Sequence, residues 1–348
     1  MHRLIYIAAM LLILLSACMH SPNSTYPTPN SNPSSSNTSN AKPSHTKLFH
    51  TKVPSDNEPK DSLHNPASSH NNPRIHALCR EIGQKLGSVS DNNCHALQLQ
   101  DSSFYSVKNR SLAIKDYPAH KQHTNLGRVF VIGGIHGDEY AATSIVFKWM
   151  QQLEQERDGR LHWRFMPLSN PDGLLQKKSQ RQNANGVDLN RNFPSQDWTQ
   201  LAHRYWQTKT YKNPRRYPGK IAASEPETQA LIQQINQFKP DIIVSVHAPY
   251  HLLDYDGPSK APKRIGKLHL HELGVYPGSL GNYGGVDLKL PVITLELPSA
   301  GIMPSPQEIQ AMWKDLNSWL LRERLQVAKL QKKRPRPAQQ LISSRRVN

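Results

Sequence analysis

Cysteine is scarce in this sequence, with three residues in 348. The chain has no CxxC pair and no Cys/His cluster, which excludes a metal site built from cysteine. Cys18 ends the N-terminal apolar segment, so Cys79 and Cys94 remain as an even pair. We expect this pair to form a disulfide in an oxidising compartment, and the alternative is two buried free thiols.

The N-terminal apolar run, Leu4 to Leu15, is too short to span a bilayer comfortably and follows a basic start. These features predict an export signal over residues 1–17. The tetrad Leu15-Ser16-Ala17-Cys18 resembles a bacterial lipobox, which implies cleavage before Cys18 and its acylation, whereas a plain signal peptide is the alternative. Met19 rather than Asp follows the cysteine. By resemblance to the Gram-negative sorting pattern, this favours a lipid anchor on the periplasmic side of the outer membrane.

Large apolar side chains are almost absent from residues 18–72, which are dominated by Ser, Asn, Pro, Thr and His. Such a segment cannot bury enough apolar surface to offset the entropy lost on folding. We therefore predict a disordered tether, with an end-to-end distance of about 40 Å for roughly fifty flexible residues. A domain on this tether would reach from a lipid anchor into the nearby cell wall.

Acidic residues are outnumbered, with 26 Asp and Glu against 43 Lys and Arg, and the formal net charge is +17. No nucleic-acid recognition motif accompanies this charge, and an exported protein rarely meets nucleic acid, so we expect no nucleic-acid partner. Part of the charge lies in residues 331–348, where basic residues alternate with proline and polar residues. We expect a solvated, disordered tail, and contact with anionic lipid or a wall polymer is the alternative.

Residues 73–330 alternate short apolar runs with amphipathic segments and contain no internal repeat. This pattern predicts one α/β domain whose helices cover both faces of a central sheet. The predicted elements are buried strands at 129–132, 163–168, 242–246 and 292–297, helices at 76–86, 140–156, 225–238 and 306–330, a polar loop at 91–93, and a hairpin of 104–107 with 112–114. Capping boxes are expected at Ser224 with Glu227 and at Ser305 with Glu308.

Polar side chains lie where predicted buried strands end. His136 and Glu139 follow one strand and a glycine pair, and His247 ends another. Two histidines and a carboxylate suit a catalytic zinc ion, which takes three protein ligands and leaves a position for water. Glu296 lies in an apolar strand, where burying a carboxylate is costly, and a place opposite that water would let it act as general base and acid. Polar loop residues and a core histidine are the alternative interpretations of the three ligands.

The strings HGDE, NPDG, GVDLNRNFP, SVH and TLELP occur in this order, and together they resemble the zinc metallocarboxypeptidase family. The resemblance covers roughly residues 100 to 325 and implies a mixed, mainly parallel central sheet flanked by helices on both faces, with one Zn²⁺ per chain. The site residues that it implies are the zinc ligands (His136, Glu139 and His247), a pair that binds the substrate's terminal carboxylate (Asn190 and Arg191), a residue that polarises the scissile carbonyl (Arg181), and the catalytic carboxylate (Glu296).

The strings after His247, namely HAPY, LDYDGP and YPGSLGNY, look most like those of bacterial murein tripeptide amidases within this family. This resemblance implies hydrolysis of the γ-D-glutamyl to meso-diaminopimelate bond of murein peptides. Asp254 or Asp256 is the hypothesised partner of the distal ammonium of diaminopimelate, and ordinary turn residues are the alternative. Tyr283 is a candidate substrate contact. No tyrosine in this interval matches the family's substrate-capping motif; the candidates are Tyr250, Tyr255, Tyr276 and Tyr283.

Three other functions stay open at the level of sequence. A general carboxypeptidase that trims peptides would use the same residues. An acyl-amino-acid deacylase of the aspartoacylase type is disfavoured by the intact NRN string and by the tether. A non-catalytic, wall-binding lipoprotein is disfavoured because all three ligands and Glu296 are present together.

Overall fold

A computed structural model describes residues 72–333 of the chain. The predicted signal peptide, Cys18, nearly all of the tether and most of the basic tail lie outside the described residues. No helix within residues 72–333 is both long and apolar enough to cross a bilayer.

A six-stranded sheet forms the centre of the domain. The strands are β1 (Lys115–Tyr117), β2 (Gly127–Ile132), β3 (Leu161–Met166), β4 (Ile242–His247), β5 (Leu252–Asp256) and β8 (Val292–Glu296), with a separate pair formed by β6 (Arg264–Ile265) and β7 (Leu268–His269). The order in the sheet is β1-β3-β2-β4-β8-β5. The four inner strands are parallel, and β1 and β5 are antiparallel edge strands. The prediction of a mixed, mainly parallel sheet is confirmed.

Helices cover both faces of this sheet. They are α1 (Pro73–Lys85), α2 (Asp91–Ala96), α3 (Tyr140–Gln155), α4 (Pro171–Leu175), α5 (Trp198–Thr208), α6 (Pro226–Phe238) and α7 (Pro306–Lys333). Alternate residues of β2 enter two different cores, because successive side chains of a strand point to opposite faces. Val129 and Val131 join a core with α1, α3 and α7, while Phe130 and Ile132 join a second core with α6.

Two local predictions were wrong, and a third is confirmed only in part. Residues 91–93 form the start of α2 rather than a loop, because Ser90 and Asn93 make a reciprocal capping box. The hairpin of 104–107 with 112–114 is confirmed only in part: Leu112 N donates to Phe104 O at 2.9 Å and Tyr105 forms an antiparallel bridge with Ser111, whereas Ile114 pairs with Gln100 and no continuous strand forms. Glu227 does not cap α6, because its carboxylate instead accepts hydrogen bonds from Val107 N and Asn183 Nδ2. The Ser305–Glu308 capping box at the start of α7 is confirmed.

A disulfide joins α1 to α2. Cys79 and Cys94 are fully buried, and their Cα atoms lie 5.4 Å apart. This bridge closes a loop of 15 residues and fixes the first two helices of the domain to each other.

The parallel strands β2, β4 and β8 end at one edge of the sheet, which is where open α/β folds place their ligand sites. In the register of β4 with β8, His247 is directly opposite Glu296. In the register of β8 with β5, Leu252 is opposite Glu296, Asp254 is opposite Thr294, and Asp256 follows further along. The sheet itself therefore sets the spacing of the polar side chains at this edge.

Candidate active site

A cavity of about 580 Å³ opens at the carboxyl edge of the sheet. Nine of the residues predicted from the sequence line it: His136, Glu139, Arg181, Asn190, Arg191, His247, Asp254, Asp256 and Glu296. Tyr283 is not among the lining residues. Its ring packs against Phe193 in the second core, with ring centroids 5.8 Å apart, so the structure does not bring it to the site.

Three buried side chains converge at the bottom of this cavity. The Nδ1 atoms of His136 and His247 lie 3.1 Å apart. The Glu139 carboxylate lies 2.7 Å from His136 Nδ1 through Oε1 and 3.1 Å from His247 Nδ1 through Oε2. All three residues are at most 5% exposed.

This donor set fits a zinc ion. Two nitrogens bound to one tetrahedral zinc ion lie roughly 3.3 Å apart, close to the separation of the two Nδ1 atoms. The other ring nitrogens are already engaged, His136 Nε2 with Asp188 Oδ1 at 3.2 Å and His247 Nε2 with Ser245 Oγ at 3.0 Å. Such outer partners fix the orientation of a ligating imidazole and leave its remaining nitrogen free for the metal.

The two acidic residues beside the histidines are held in their ionised forms. Burial by itself would raise the pKa of Glu139, but His136 and His247 lower that pKa well below its usual range. Burial also opposes ionisation of Asp188, yet Arg181 and His136 lower the pKa of this carboxyl far below its ordinary value. The donor group therefore carries negative charge suited to a divalent cation.

Glu296 lies beside the donor group at the end of β8 and is 7% exposed. Its Oε2 atom is buried without a hydrogen-bond partner among the described residues. Burial raises the pKa of Glu296, partly opposed by the nearby histidines. A carboxylate with an unused oxygen and a raised pKa is suited to accept and deliver a proton.

Two arginines lie near the donor group. Arg181 Nε donates to Asp188 at 2.9 Å, and its Nη1 lies 3.5 Å from the Glu139 carboxylate. Arg191 is 6% exposed, and its guanidinium lies 4.7 Å from the ring centroid of Tyr276. The neighbouring Asn190 accepts a hydrogen bond from Leu280 N at 2.8 Å, which fixes the orientation of its side chain.

Comparisons with known proteins identify this arrangement. The family model described as zinc carboxypeptidase matches residues 73–269. The chain belongs to the zinc carboxypeptidase family. It is accordingly a hydrolase whose His-Glu-His site takes one Zn²⁺.

Individual relatives agree with this assignment. Murein peptide amidase A of Vibrio campbellii is 33% identical over 189 residues, which are 52% of this chain and 73% of that protein. The human carboxypeptidase N catalytic chain is 28% identical over 192 residues, 47% of this chain and 40% of that protein. The structure of bovine thrombin-activatable fibrinolysis inhibitor with tick carboxypeptidase inhibitor shows the same fold, with a TM-score of 0.51, 16% identity and coverage of 73% and 95% of the two chains.

In this zinc carboxypeptidase, one wall of the cavity is acidic. Asp254 and Asp256 of β5 line the cavity on the same face of the sheet as Glu296, whereas Leu253 and Tyr255 point into the first core. Burial raises the pKa of Asp256 to about 7, and the negative charges of Asp254 and Glu272 add to this effect. Burial also raises the pKa of Asp254, whose carboxylate accepts from Leu273 N at 2.9 Å.

Two glycines make room for Asp256, Gly281 for its carboxylate and Gly285 for its Cβ and backbone. A Cβ atom at Gly281 or Gly285 would collide with Asp256. Both glycines belong to the π-helical segment Gly281–Asp287, which packs over β5. The acidic wall therefore depends on two glycines of the sequence YPGSLGNYGG. Gly281 belongs to the string YPGSLGNY that resembles murein tripeptide amidases, and Gly285 follows that string.

A second part of the cavity wall carries no signal in the sequence. Residues of α5 and of the turn after it line the cavity, namely Tyr205, Lys209, Thr210, Tyr211, Asn213 and Arg216. No motif marks this segment, because its residues are ordinary helix and turn residues until the fold brings them over the site. Asp188 was also missed as a separate residue. The GVDLNRNFP string contains it, and its position between two arginines was the available signal.

Proposed function

We propose that this enzyme is a murein peptide amidase that hydrolyses the γ-D-glutamyl to meso-diaminopimelate bond. One observation carries the proposal: the cavity combines an arginine that has no ion-pair partner among the described residues, Arg191, with an acidic wall at Asp254 and Asp256. Diaminopimelate, as the departing residue, presents a carboxylate beside the scissile amide and an ammonium at its far end. The match to murein peptide amidase A supports the same choice.

Arg191 and Asn190 hold the carboxylate next to the scissile amide. The Nε atom of Arg191 is buried and lacks a hydrogen-bond partner among residues 72–333. Burial lowers the pKa of Arg191 to about 10. The positive charges of Arg181 and Arg216 also lower this pKa, whereas the negative charge of Asp188 raises it. A buried guanidinium in this condition gains stability when a carboxylate arrives.

Arg181 and Glu296 act on the scissile amide itself. When bound, zinc polarises a carbonyl oxygen and lowers the pKa of water. The Arg181 guanidinium lies beside the donor group and stabilises the negative charge that develops on the carbonyl oxygen. Glu296 accepts the proton of the attacking water at its unpaired Oε2 and passes it to the nitrogen of the leaving amine.

The acidic wall binds the distal ammonium of the departing residue. The charges that act on Asp256 are both negative, from Asp254 and Glu272. An ammonium in this place lowers the unfavourable free energy of two adjacent carboxylates and keeps both ionised.

The N-terminal sequence is part of the proposal. We propose that residues 1–17 are a signal peptide and that Cys18 is acylated at the periplasmic side of the outer membrane. Residues 18–72 would form the tether, 73–330 the catalytic domain and 331–348 a basic tail that contacts anionic lipid or a wall polymer. These features favour a wall substrate because together they would hold the domain near the wall.

A general carboxypeptidase is the second candidate. The acidic wall would accept a C-terminal lysine as well as diaminopimelate, since both carry an ammonium at the same carbon of the side chain. The similarity to a carboxypeptidase N catalytic chain is in keeping with this alternative.

Incubation of the full chain and zinc with L-Ala-γ-D-Glu-meso-diaminopimelate separates the candidates. We expect release of free diaminopimelate, detected by mass spectrometry, and its loss on addition of a chelator. Release of lysine from ordinary peptides without release of diaminopimelate would assign general carboxypeptidase activity. Binding of murein without any cleavage would indicate a non-catalytic wall-binding protein.

A further inference from the structure

Arg216 lines the cavity from the turn after α5, whereas Asp254 and Asp256 line it from β5. It belongs to the short 3-10 helix Pro214–Arg216, and its side chain lines the cavity. Its Nη2 lies 3.4 Å from Tyr250 Oη, three residues after the donor His247. The adjacent Arg215 pairs with Asp138, between the donors His136 and Glu139, at 2.7 Å. The turn thus lies beside the two segments that carry the metal donors.

No carboxylate of the described residues forms an ion pair with Arg216. Its neighbours in the sequence differ, since Arg215 is paired and Lys212 does not line the cavity. The charge of Arg216 is close enough to Arg191 to contribute to the lowered pKa of that residue. Arg216 is therefore one of two cavity-lining cations after Arg191 that form no ion pair among the described residues, the other being Lys209, and it is the one that contacts Tyr250 near the donor His247.

The proposed substrate supplies such an anion. A glutamate linked through its γ-carbon keeps its α-carboxylate free, only a short distance from the scissile carbonyl. An ordinary α-peptide has a neutral amide at the corresponding position. With the carboxylate of the departing residue at Arg191, the glutamate lies on the other side of the scissile amide, and Arg216 is a cavity cation beside the metal donors that its α-carboxylate can reach.

We propose that Arg216 binds the free α-carboxylate of the γ-D-glutamyl residue and selects γ-linked glutamyl substrates over ordinary peptides. The inference rests on the proposed function. It adds a contact to the γ-D-glutamyl residue, which lies on the carbonyl side of the cleaved bond. Arg191 then recognises the departing residue, and Arg216 recognises the residue to which it was attached. Charge-assisted hydrogen bonds of this kind are stronger and more directional than neutral ones.

Three tripeptides test the proposal with the full chain and zinc: L-Ala-γ-D-Glu-meso-diaminopimelate, its analogue with the glutamyl α-carboxamide, and its analogue with the distal diaminopimelate carboxamide. We expect kcat/KM of the unchanged enzyme to fall roughly 10- to 100-fold for the glutamyl carboxamide. In Arg216→Gln, the two glutamyl forms should be cleaved at equal rates, because only the reaction of the carboxylate slows. Arg216→Lys keeps the charge and should restore part of the preference.

Lys212→Gln is the matched control, since it removes a positive charge from the same turn without altering the cavity wall. It should keep the full preference, and the zinc content of every variant reports its folding. Equal cleavage of both glutamyl forms by the unchanged enzyme would overturn the inference and leave the proposed function standing. The inference would also be overturned if Arg216→Gln still preferred the glutamyl carboxylate to its carboxamide. The same holds if the unchanged enzyme lost activity only on the distal diaminopimelate carboxamide. Cleavage of none of the tripeptides would remove the proposed function and the inference together.

Discussion

The single carboxylate of Asp188 connects three parts of the active site. It lies 3.2 Å from His136 Nε2, accepts from Arg181 Nε at 2.9 Å, and accepts from Asn190 N at 3.1 Å. The side chain is fully buried, so none of these contacts competes with water. The orientation of the metal donor His136, of Arg181 and of the loop that carries Asn190 therefore depends on one residue.

Replacement of Glu296 by glutamine should separate metal binding from turnover. The amide keeps the size of the side chain but cannot accept a proton, so we expect a fall in kcat of about 10²- to 10⁴-fold. Zinc content, measured by atomic emission, should stay at one per chain. His247→Ala should lose both zinc and activity, and normal turnover in Glu296→Gln would exclude Glu296 as the base.

Asp256 should make recognition of the distal ammonium dependent on pH. Since its pKa is raised to about 7 in the free enzyme, lowering the pH from 8 to 6 converts the carboxylate to its neutral form. We expect the ratio of kcat/KM for a substrate ending in lysine or diaminopimelate to that for a norleucine analogue to fall about tenfold over this range. The ratio cancels other titrations of the active site. In Asp256→Asn the ratio should be low at every pH, and an unchanged profile there would contradict the assignment.

At the scale of single residues, the sequence revealed those side chains whose type conflicts with their surroundings. His247 and Glu296 were identifiable because a polar group at the end of an apolar strand is unfavourable without a partner. Arg216 and Lys209 were not identifiable, because arginine and lysine in a polar turn conflict with nothing. Tyr283 was chosen for its motif neighbourhood, and the fold directs its ring into the core instead.

At the scale of secondary-structure elements, helix α6 begins with a buried glutamate, Glu227, that does not cap the helix. Glu227 accepts from Val107 N at 3.1 Å and from Asn183 Nδ2 at 3.0 Å. Asn183 in turn accepts from Val187 N at 3.1 Å within the loop that carries Arg181 and Asp188. The start of α6 therefore holds the active-site loop, and this competing use explains why the predicted capping box with Ser224 is not formed.

Glu227 should make the domain less stable as the pH rises. Burial raises its pKa to about 7, above the value of an exposed glutamate. The folded state thus holds a proton that the unfolded state releases, so the stability present below pH 4.5 is lost as the pH rises through 7. We expect a decrease on the order of 3 kcal/mol in the free energy of unfolding, measured by urea denaturation between pH 4.5 and 8. Glu227→Gln should flatten this slope, and an equal slope in both proteins would show that another group is responsible.

The major elements could be predicted because their signals are local. Four buried strands and four helices were located to within a few residues from apolar runs, and the capping box of α7 was read directly from Ser305 and Glu308. The short elements were missed for the opposite reason. α2 has six residues, and the segment 104–114 forms bridges whose geometry depends on the surrounding fold.

At the scale of the whole molecule, the metal donors connect distant parts of the chain. His136 and His247 are 111 residues apart in sequence, on the loop after β2 and at the end of β4. An ion bound by both adds a constraint between these segments that exists only in the folded state. Metal binding and folding are therefore thermodynamically linked.

Removal of zinc should lower the stability of the domain. At free zinc 1,000-fold above its Kd, the linkage stabilises the folded state by about 4 kcal/mol. We expect a chelator to lower Tm by roughly 10 °C in calorimetry, and added zinc to restore it. His247→Ala should melt at the same temperature with and without the chelator, and a chelator effect in that variant would mean that the metal acts elsewhere.

The register of β5 against β8 also sets the distances between the polar groups along one wall of the cavity. Leu252 lies level with Glu296, and Asp254 and Asp256 follow at intervals of about 7 Å along the strand. For a departing side chain that starts at the level of Glu296 and ends in a cation, the length of the side chain decides which of these carboxylates the cation can reach. A lysine side chain spans about one such interval. We therefore expect its ammonium near Asp254, with the charge of Asp256 acting from the next position along the strand, and we expect ornithine, one carbon shorter, to be removed more slowly.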